Sequence, residues 1–292
     1  MPLLKLGELH VNKVDVLIIG AGASGLMCAA NAAYRGRSVT LIDHANMAGK
    51  KIIMSGGGRC NFTNMDASPK HFLSQNPHFV ISALKRYGPS HFVELMDRHG
   101  LDYVEKAPGQ LFCKDSAKDL LAILLTECEW AGVNLVLKTA ITHITDLGTH
   151  KQVETNQGTY LCESLVIATG GLSIPTKGAT GFGYQTAEQF GLKVLPTRAG
   201  LVPVTLQPDL KAKFEPLAGV SCDISAKAND VTFSEPMLFT HRGLSGPAIL
   251  QISNHWLPGD ELSIDLYPAD SLLTLLIEAR DKHPKSHIDK IL

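Results

Sequence analysis

The sequence has no excess of either charge and no long apolar run near its start. Lys and Arg total 27 and Asp and Glu total 28, so the formal net charge is -1. This balance gives no indication of a polyanion-binding surface. The first twelve residues hold no apolar stretch of signal-peptide or membrane-span length. We therefore expect a globular protein with no nucleic-acid partner and no membrane partner, with a core supplied by its 45% hydrophobic residues.

Motifs for disulfides, metals and acyl transfer are also lacking. The six cysteines form no C-x-x-C pair, which argues against a redox dithiol and a zinc cluster. The twelve histidines include no H-E-x-x-H motif, and we expect no metal site. No G-x-S-x-G nucleophile motif occurs. Because several cysteines lie inside apolar runs, the pattern indicates buried thiols in a reducing cytoplasm.

One βαβ unit is visible near the start of the chain. Residues 14–19 are mostly apolar and end at Gly20, which is typical of a parallel strand buried on both faces. Residues 23–35 read as a helix rich in small residues, and residues 38–43 as a second strand. Together they have the size of a crossover unit. The fold class predicted from this pattern is α/β.

The chain divides by composition into three parts. Residues 1–13 are an N-terminal extension, and residues 14–194 form a first domain that contains the βαβ unit. From residue 195 prolines become frequent, and the helical period gives way to short strands. We assign 195–292 to a second domain of mixed strands and helices, mostly β.

The segment after the first strand has the spacing of a dinucleotide-binding turn. Gly20 permits a tight turn, Gly22 permits close approach of a pyrophosphate, and Gly25 permits helix–strand packing. Asp43, which lies 18 residues after Gly25, ends the second strand, where a carboxylate can accept hydrogen bonds from a ribose. The pattern predicts a dinucleotide site, and the alternative is a tight turn without a ligand.

Two further small-residue segments belong to the same prediction. The run SGGGRCN at 55–61 leaves bare backbone beside a cation, Arg59, and amide side chains, so a ligand can lie against Gly57. We expect a bulky residue at Gly57 to expel that ligand. Thr169-Gly170-Gly171 follows a buried strand, at the strand end where open α/β sheets bind ligands.

The run from GAGASG through SGGGRCNFTN resembles the amino end of the YhiN/BaiN-type NAD(P)/FAD-dependent oxidoreductases, the aminoacetone-oxidase-type flavoproteins. The resemblance extends in order through ATGG, TGFGYQTAEQFG at 180–191, LVPV at 201–204, LAGVS at 217–221 and LFTHRGLSGPAILQIS at 238–253. It implies a glutathione-reductase-like, FAD-binding Rossmann domain interrupted by an inserted α+β domain. By analogy with such folds, Ile141 is a candidate for backbone contact with the adenine.

The expected cofactor-binding residues combine these motifs. FAD would place its ADP half on the first glycine turn and Asp43, and the remainder on the later segments. The full set is Gly20, Ala21, Gly22, Ala23, Ser24, Gly25, Asp43, Lys51, Ser55, Gly57, Gly58, Arg59, Cys60, Asn61, Asn64, Ile141, Thr169, Gly170 and Gly171.

The sequence departs from the resemblance in two ways. Phe182 stands in the TGFG segment where the resemblance implies an aspartate, which changes the polar character of that turn. The resemblance also implies a later return to the flavin domain, with a last strand and a glycine-rich turn. No such segment occurs before Leu292, so we expect that the chain is truncated and its second domain incomplete.

No catalytic residue is identified from the sequence. His241 in THRGLSGP is interpreted as a turn histidine or as a residue facing the flavin, and Arg242 as a contact for an anionic substrate. Cys60 is interpreted as a small residue packed beside the cofactor, since no partner cysteine lies near it in the sequence. In flavoenzymes the isoalloxazine carries the redox chemistry, so a clear acid–base signature is not required.

The leading hypothesis is a cytoplasmic FAD-dependent oxidoreductase. A hydride would pass between flavin and a small organic substrate, an amine or a conjugated ketone, with NAD(P)H or oxygen as the partner. The second hypothesis is a non-catalytic flavin- or nucleotide-binding module, either a sensor or an RNA-associated factor, of which the neutral charge disfavours the RNA role. A third, an NAD-only dehydrogenase, predicts no bound chromophore.

Overall fold

The computed structural model describes residues 11–173, 178–268, 272–284 and 287. The chain divides into two compact units, Met1–Leu195 and Pro196–Leu292.

A six-stranded sheet is the centre of the first unit. Its strands are β1 (Val11–Ile19), β2 (Val39–Ile42), β6 (Asn134–Val136), β7 (Ile141–Asp146), β8 (Lys151–Thr155) and β9 (Gly158–Ile167). Their spatial order is β6-β2-β1-β9-β8-β7. The first four strands in this order are parallel, and β9, β8 and β7 form an antiparallel meander. β1 therefore has one parallel neighbour on each side, which is the position where chain connections leave the sheet in opposite directions.

A second, three-stranded sheet lies in the same unit. It consists of β3 (Asn61–Asn64), β4 (Tyr103–Ala107) and β5 (Gln110–Cys113), in the order β3-β5-β4. The helices of the unit are α1 (Ala23–Tyr34), α2 (Lys50–Met54), α3 (Ile81–Arg86), α4 (Pro89–Arg98), α5 (Ala117–Trp130) and α6 (Phe182–Gln189).

Small residues let α1 pack closely on the sheet. Its buried residues are Gly25, Leu26, Ala29 and Ala30, and the last three join one hydrophobic core with α5. α5 begins at Ser116, whose hydroxyl accepts a hydrogen bond from the Lys118 amide at 3.2 Å. This is a typical N-cap, worth about 1 kcal/mol. α1 and α5 therefore pack on the same face of the six-stranded sheet, next to β1.

Polar side chains join the carboxyl ends of α1 and α5. Glu127 accepts hydrogen bonds from Tyr34 at 2.9 Å and from His99 at 2.6 Å. Burial raises the pKa of the Glu127 carboxyl, but the hydrogen bonds from His99 and Tyr34 outweigh it, and the pKa lies below its usual value. The His99 ring stacks on Trp130 at a centroid distance of 5.2 Å.

The second unit is built on a five-stranded antiparallel sheet. Its strands are β10 (Val204–Thr205), β11 (Ser221–Ala228), β12 (Val231–Thr240), β13 (Gly243–Ser245) and β14 (Ser263–Asp265), in the order β10-β13-β12-β11-β14. Its helices are α7 (Pro208–Phe214), α8 (Pro247–Ile252) and α9 (Leu272–Lys282). Ile249 and Ile252 of α8 are fully buried against Ile224 and Met237 of the sheet.

The predicted fold class is confirmed: the chain contains a Rossmann-type α/β domain and an additional, mostly β domain. The helix α2 was not predicted from the sequence, and neither were the short strands β3, β4 and β5. These short elements depend on pairing between residues distant in the chain, because β3 pairs with β5 about fifty residues later. No helix in the described ranges is long and apolar enough to cross a bilayer.

Candidate cofactor site

A cavity of about 940 Å³ opens in the first unit at the carboxyl ends of three parallel strands. Ile19 ends β1, Asp43 follows β2 and Ala168 follows β9, and all three residues line it. The carboxyl edge of an open α/β sheet, next to the strand where connections diverge, is the usual ligand position in such folds. The volume lies in the upper part of the range for cofactor pockets.

The three glycines of the first turn have different surroundings. Gly20 has φ +108°, and a Cβ there would lie 2.6 Å from the Ala168 carbonyl oxygen. A Cβ on Gly25 would overlap the Gly20 carbonyl oxygen. A Cβ on Gly22 would meet no atom of the described residues within 4 Å, and Gly22 lines the cavity. Two of the glycines thus permit backbone packing, and the third leaves open space where a ligand can approach.

The first turn of α1 faces this space without a side-chain cap. Its N-cap is Gly22, no side chain accepts from the first-turn amides, and that turn carries no acidic residue. The unpaired N–H groups and the positive end of the helix dipole favour a bound anion. The residues present therefore fit the diphosphate of a dinucleotide.

Asp43 holds the loop after β2 against the glycine turn. One carboxylate oxygen accepts from the Ala21 amide at 2.7 Å, and the other accepts from the Ala45 amide at 2.8 Å. An ionised carboxylate has about four acceptor positions. Asp43 thus orders the cavity wall and keeps acceptor capacity for a ribose hydroxyl.

The SGGG segment is a short 3-10 turn with left-handed residues inside it. Gly56, Gly57 and Gly58 have φ of 57°, 66° and 87°, and Cys60 has φ 44° although it is not glycine. A Cβ on Gly56 would lie 2.7 Å from the Asn61 amide nitrogen. A Cβ on Gly57 would meet no atom of the described part of the chain within 4 Å, and Gly57 does not line the cavity. The turn brings Cys60 and Asn61 to the cavity wall.

Lys51 extends from α2 to the segment after β9. Its Nζ donates to the Ser173 hydroxyl at 3.2 Å and to the Gly171 carbonyl at 3.5 Å. It also lines the cavity, so it is a cation available to an anionic or carbonyl-bearing part of a ligand.

Cys60 has a cysteine neighbour that its position in the sequence did not indicate. Cys113 ends β5, and its amide donates to the Cys60 carbonyl at 3.4 Å. Burial raises the pKa of the Cys60 thiol, and burial together with Cys60 and Asp119 raises the pKa of Cys113 to about 11. Both groups are therefore neutral thiols near pH 7, which disfavours a reactive thiolate.

Most of the predicted residues meet at the cavity. Those that line it are Gly20, Ala21, Gly22, Ala23, Ser24, Asp43, Lys51, Ser55, Cys60, Asn61, Ile141, Thr169 and Gly170. Those that do not line it are Gly25, Gly57, Gly58, Arg59, Asn64 and Gly171. Arg59 is exposed, and the Asn64 side chain accepts from the Asp66 amide at 2.9 Å within a turn.

Sequence reasoning missed much of the cavity wall. The additional lining residues include Met27, His44, Ala45, Met47, Ile52, Phe62, Phe92, Leu120, Leu124, Thr139, Ala140, Thr180 and Phe182. Thr180 and Phe182 belong to the TGFG segment, so that motif could have been used to find them. The apolar wall from α4 and α5 gives no local signal, because its residues look like ordinary core positions.

His241 and Arg242 lie in the second unit, at a turn organised by Thr240. The Thr240 hydroxyl oxygen accepts from the amides of Arg242 at 3.4 Å and Gly243 at 3.1 Å, and both His241 and Arg242 are exposed. This geometry fits the interpretation of His241 as a turn residue.

Comparison with known families matches both units. Residues 14–233 match the HI0933-like protein Rossmann domain. Residues 198–292 match the HI0933-like protein barrel and H2TH domain.

Proteins similar to this chain include two curated relatives and one solved structure. The ribosomal RNA dihydrouridine synthase of Escherichia coli is 49% identical over 283 residues, which cover 97% of this chain and 71% of that protein. The 3-dehydro-bile acid delta(4,6)-reductase of Clostridium scindens is 29% identical over 248 residues, covering 82% and 59%. The solved 3-ketosteroid-delta4-(5alpha)-dehydrogenase of Rhodococcus jostii has a TM-score of 0.44 at 15% identity, covering 57% and 48%.

Proposed function

Because the chain belongs to the HI0933-like protein family, whose fold is of the flavin-type oxidoreductase kind, we propose that it is an FAD-dependent oxidoreductase. The observation that carries the proposal is the cavity at the carboxyl ends of β1, β2 and β9, with an uncapped helix N-terminus and open space at Gly22. The finer resemblance to YhiN/BaiN-type flavoproteins is part of the same proposal.

Different residues of the cavity would bind different parts of FAD. The first-turn amides of α1 and bare Gly22 would hold the diphosphate, and Asp43 would accept from the adenosine ribose. Ile141 would contact the adenine, while Lys51 and Thr169 would contact the flavin half. FAD, when bound, supplies a hydride-transfer centre, and the protein's role is to position the reacting atoms and exclude water.

We propose that the substrate carries a carbon–carbon double bond conjugated with a carbonyl. The names of two relatives support this, since a dihydrouridine synthase and a 3-dehydro-bile acid delta(4,6)-reductase both describe reduction of such a bond. The uracil ring of ribosomal RNA is the first candidate, because the relative named for it is 49% identical. A small conjugated ketone is the second, and an amine is retained for screening because of the sequence resemblance.

Reduction of this bond needs a hydride on one carbon and a proton on its neighbour. The hydride would come from flavin reduced by NAD(P)H. The cavity wall holds proton-bearing groups at Lys51, Cys60 and Thr169. We take Cys60 as the candidate proton donor, because its thiol is buried in the cavity wall and carries its proton near neutral pH, since burial raises its pKa.

Absorbance and turnover test the proposal. The purified full-length protein should be yellow, should be bleached anaerobically by NADPH, and should form dihydrouridine in protein-free ribosomal RNA or reduce a model enone. Cys60→Ala should keep the bleaching step and slow turnover by about 10²-fold or more. Flavin that binds but supports no turnover on enone, amine or RNA would favour the non-catalytic module, and protein without a chromophore would refute the FAD assignment.

The proposed setting is the cytoplasm. All six cysteines are free thiols, and four of them are buried: Cys60, Cys113, Cys128 and Cys162. Unpaired thiols are typical of a reducing compartment.

A further inference from the structure

The chain between β3 and α4 contains an unusually exposed group of aromatic side chains. We call residues 70–87 the cationic–aromatic segment. Every one of its residues is exposed except Val80 and Leu84. Phe79 is 75% exposed, Phe72 44% and Tyr87 43%. Several exposed aromatic side chains within one short stretch of chain make it a candidate interaction surface.

The same segment is free of negative charge. No Asp or Glu occurs between Asp66 and Glu94, whereas the segment carries Lys70, Lys85 and Arg86. No ion pair found in the described ranges involves these three cations. The balanced charge of the whole chain therefore conceals a local excess of positive charge, which complements a polyanion.

The elements on either side of the segment, β3 and α4, both contribute to the wall of the cofactor cavity. Phe62 precedes it on β3, Phe92 follows it on α4, and both line the cavity. Their ring centroids lie 6.0 Å apart. The chain that carries the segment is therefore anchored on both sides to one wall of the cavity.

We propose that the cationic–aromatic segment binds single-stranded RNA. Lys70, Lys85 and Arg86 would contact phosphates, while Phe72 and Phe79 would stack on unpaired bases. Cations interleaved with exposed aromatic rings are the usual surface for unpaired nucleotides. This inference rests on the proposed function, since it gives a ribosomal RNA substrate its docking surface.

Local structure favours RNA over a membrane as the occupant. Binding along a membrane interface uses an extended amphipathic helix. The segment instead consists of a 3-10 turn at Pro69–His71, irregular chain and the six-residue α3. Tyr87 is also already stacked on His91, with ring centroids 5.5 Å apart. A pre-ordered ring is suited to stacking on a base.

Three full-length variants test the proposal by fluorescence anisotropy with a fluorescein-labelled 20-nucleotide poly(U). Lys70→Ala/Lys85→Ala/Arg86→Ala should lower the slope of log affinity against log salt by about 2, from roughly 0.7 per lost phosphate contact. Phe72→Ala/Phe79→Ala should weaken binding about 10- to 100-fold at constant slope. The matched control, Leu192→Ala/Lys193→Ala, removes an exposed apolar residue and a cation elsewhere in the unit and should bind like the wild type.

A second readout separates the segment from the enzyme. Dihydrouridine formed in protein-free ribosomal RNA is measured by mass spectrometry, and anaerobic bleaching by NADPH reports the cofactor site. Both segment variants should lower kcat/KM for RNA while bleaching as fast as the wild type. Wild-type formation of dihydrouridine with unchanged variants would overturn the segment proposal and leave the function intact.

Two other outcomes are equally decisive. Wild-type binding of poly(U) that depends on the segment, without any dihydrouridine formed, would support the surface and refute uridine as substrate. Segment-dependent sedimentation with phosphatidylserine vesicles, without binding to poly(U), would overturn RNA in favour of a membrane.

Discussion

In the turn after β1, a Cβ on Gly20 or Gly25 would press into backbone atoms, whereas in the loop after α2 a Cβ on Gly57 or Gly58 would meet none of the described residues within 4 Å. The two segments look alike in the sequence, because both are short and rich in glycine. In the first, glycine permits strand, turn and helix to pack without a gap. In the second, glycine permits left-handed backbone.

The comparison shows that a glycine can be required for three separable reasons: close packing, a positive φ, and space for a ligand. Gly22 is the example of the third, because it lines the cavity and has an ordinary φ of -86°. Substitution of one glycine of each kind should therefore affect stability and flavin binding to different degrees.

The largest effect is expected at Gly25. Gly25→Ala places a methyl group on the Gly20 carbonyl oxygen, so the turn and α1 must separate. We expect a loss of about 3 kcal/mol or more in the free energy of unfolding, measured by urea denaturation. A variant as stable as the wild type would show that this glycine is not needed for packing.

The next effect is expected at Gly22, and on ligand binding rather than on stability. Gly22→Ala should change the free energy of unfolding by about 1 kcal/mol or less, since its Cβ would lie within 4 Å of no atom among the residues that the structure describes. The methyl group would occupy the approach to the diphosphate, so flavin affinity should fall at least about tenfold. Flavin content and equilibrium dialysis measure this, and full occupancy would contradict the assigned space.

Two substitutions in the SGGG loop separate the cost of backbone conformation from the cost of packing. Gly56→Ala and Gly57→Ala each place a Cβ at positive φ, which costs about 1–2 kcal/mol. Gly56→Ala should lose more stability, because its Cβ also lies 2.7 Å from the Asn61 amide nitrogen. Thermal denaturation of both variants measures the difference in stability. Equal losses would show that packing against Asn61 adds nothing to the cost of the positive φ.

Gly57→Leu tests the expectation drawn from the sequence. That expectation is expulsion of the cofactor, but Gly57 does not line the cavity, and a side chain there points into open space. We therefore expect flavin occupancy to stay within about twofold of the wild type. Loss of flavin would restore the original expectation and place the cofactor against Gly57.

The smallest effect concerns two buried thiols, Cys113 at the end of β5 and Cys128 in α5. Burial raises the pKa of Cys128 to about 11, above its ordinary value of 9.0, and that of Cys113 likewise to about 11. Between pH 9 and 11 the unfolded chain loses these protons while the folded chain keeps them. Stability from this source is therefore complete below pH 9 and is lost as pH rises towards 11.

Cys113→Ala and Cys128→Ala should each flatten that alkaline decline, as measured by denaturation at stepped pH. Cys222→Ala provides the control, because that thiol is only half-buried and lies in the second unit. An unchanged pH profile in both test variants would show that neither thiol is held in its neutral form by burial.

The sequence by itself determined the Rossmann-type unit and pointed to the sheet edge at which the cavity opens. The apolar run before Gly20, the small-residue helix and Asp43 are local signals, and each follows from backbone geometry over a few residues. The second, mostly β unit was likewise indicated by a local change in composition.

The tertiary structure alone decided which residues meet. It placed Phe92 and Leu124 in the cavity wall, brought Lys51 to Ser173, and set Cys113 beside Cys60. It also separated the glycines that pack from those that leave space. These contacts join residues distant along the chain, and local propensity and periodicity carry no information about such partners, because the free energy that selects them comes from packing the whole unit.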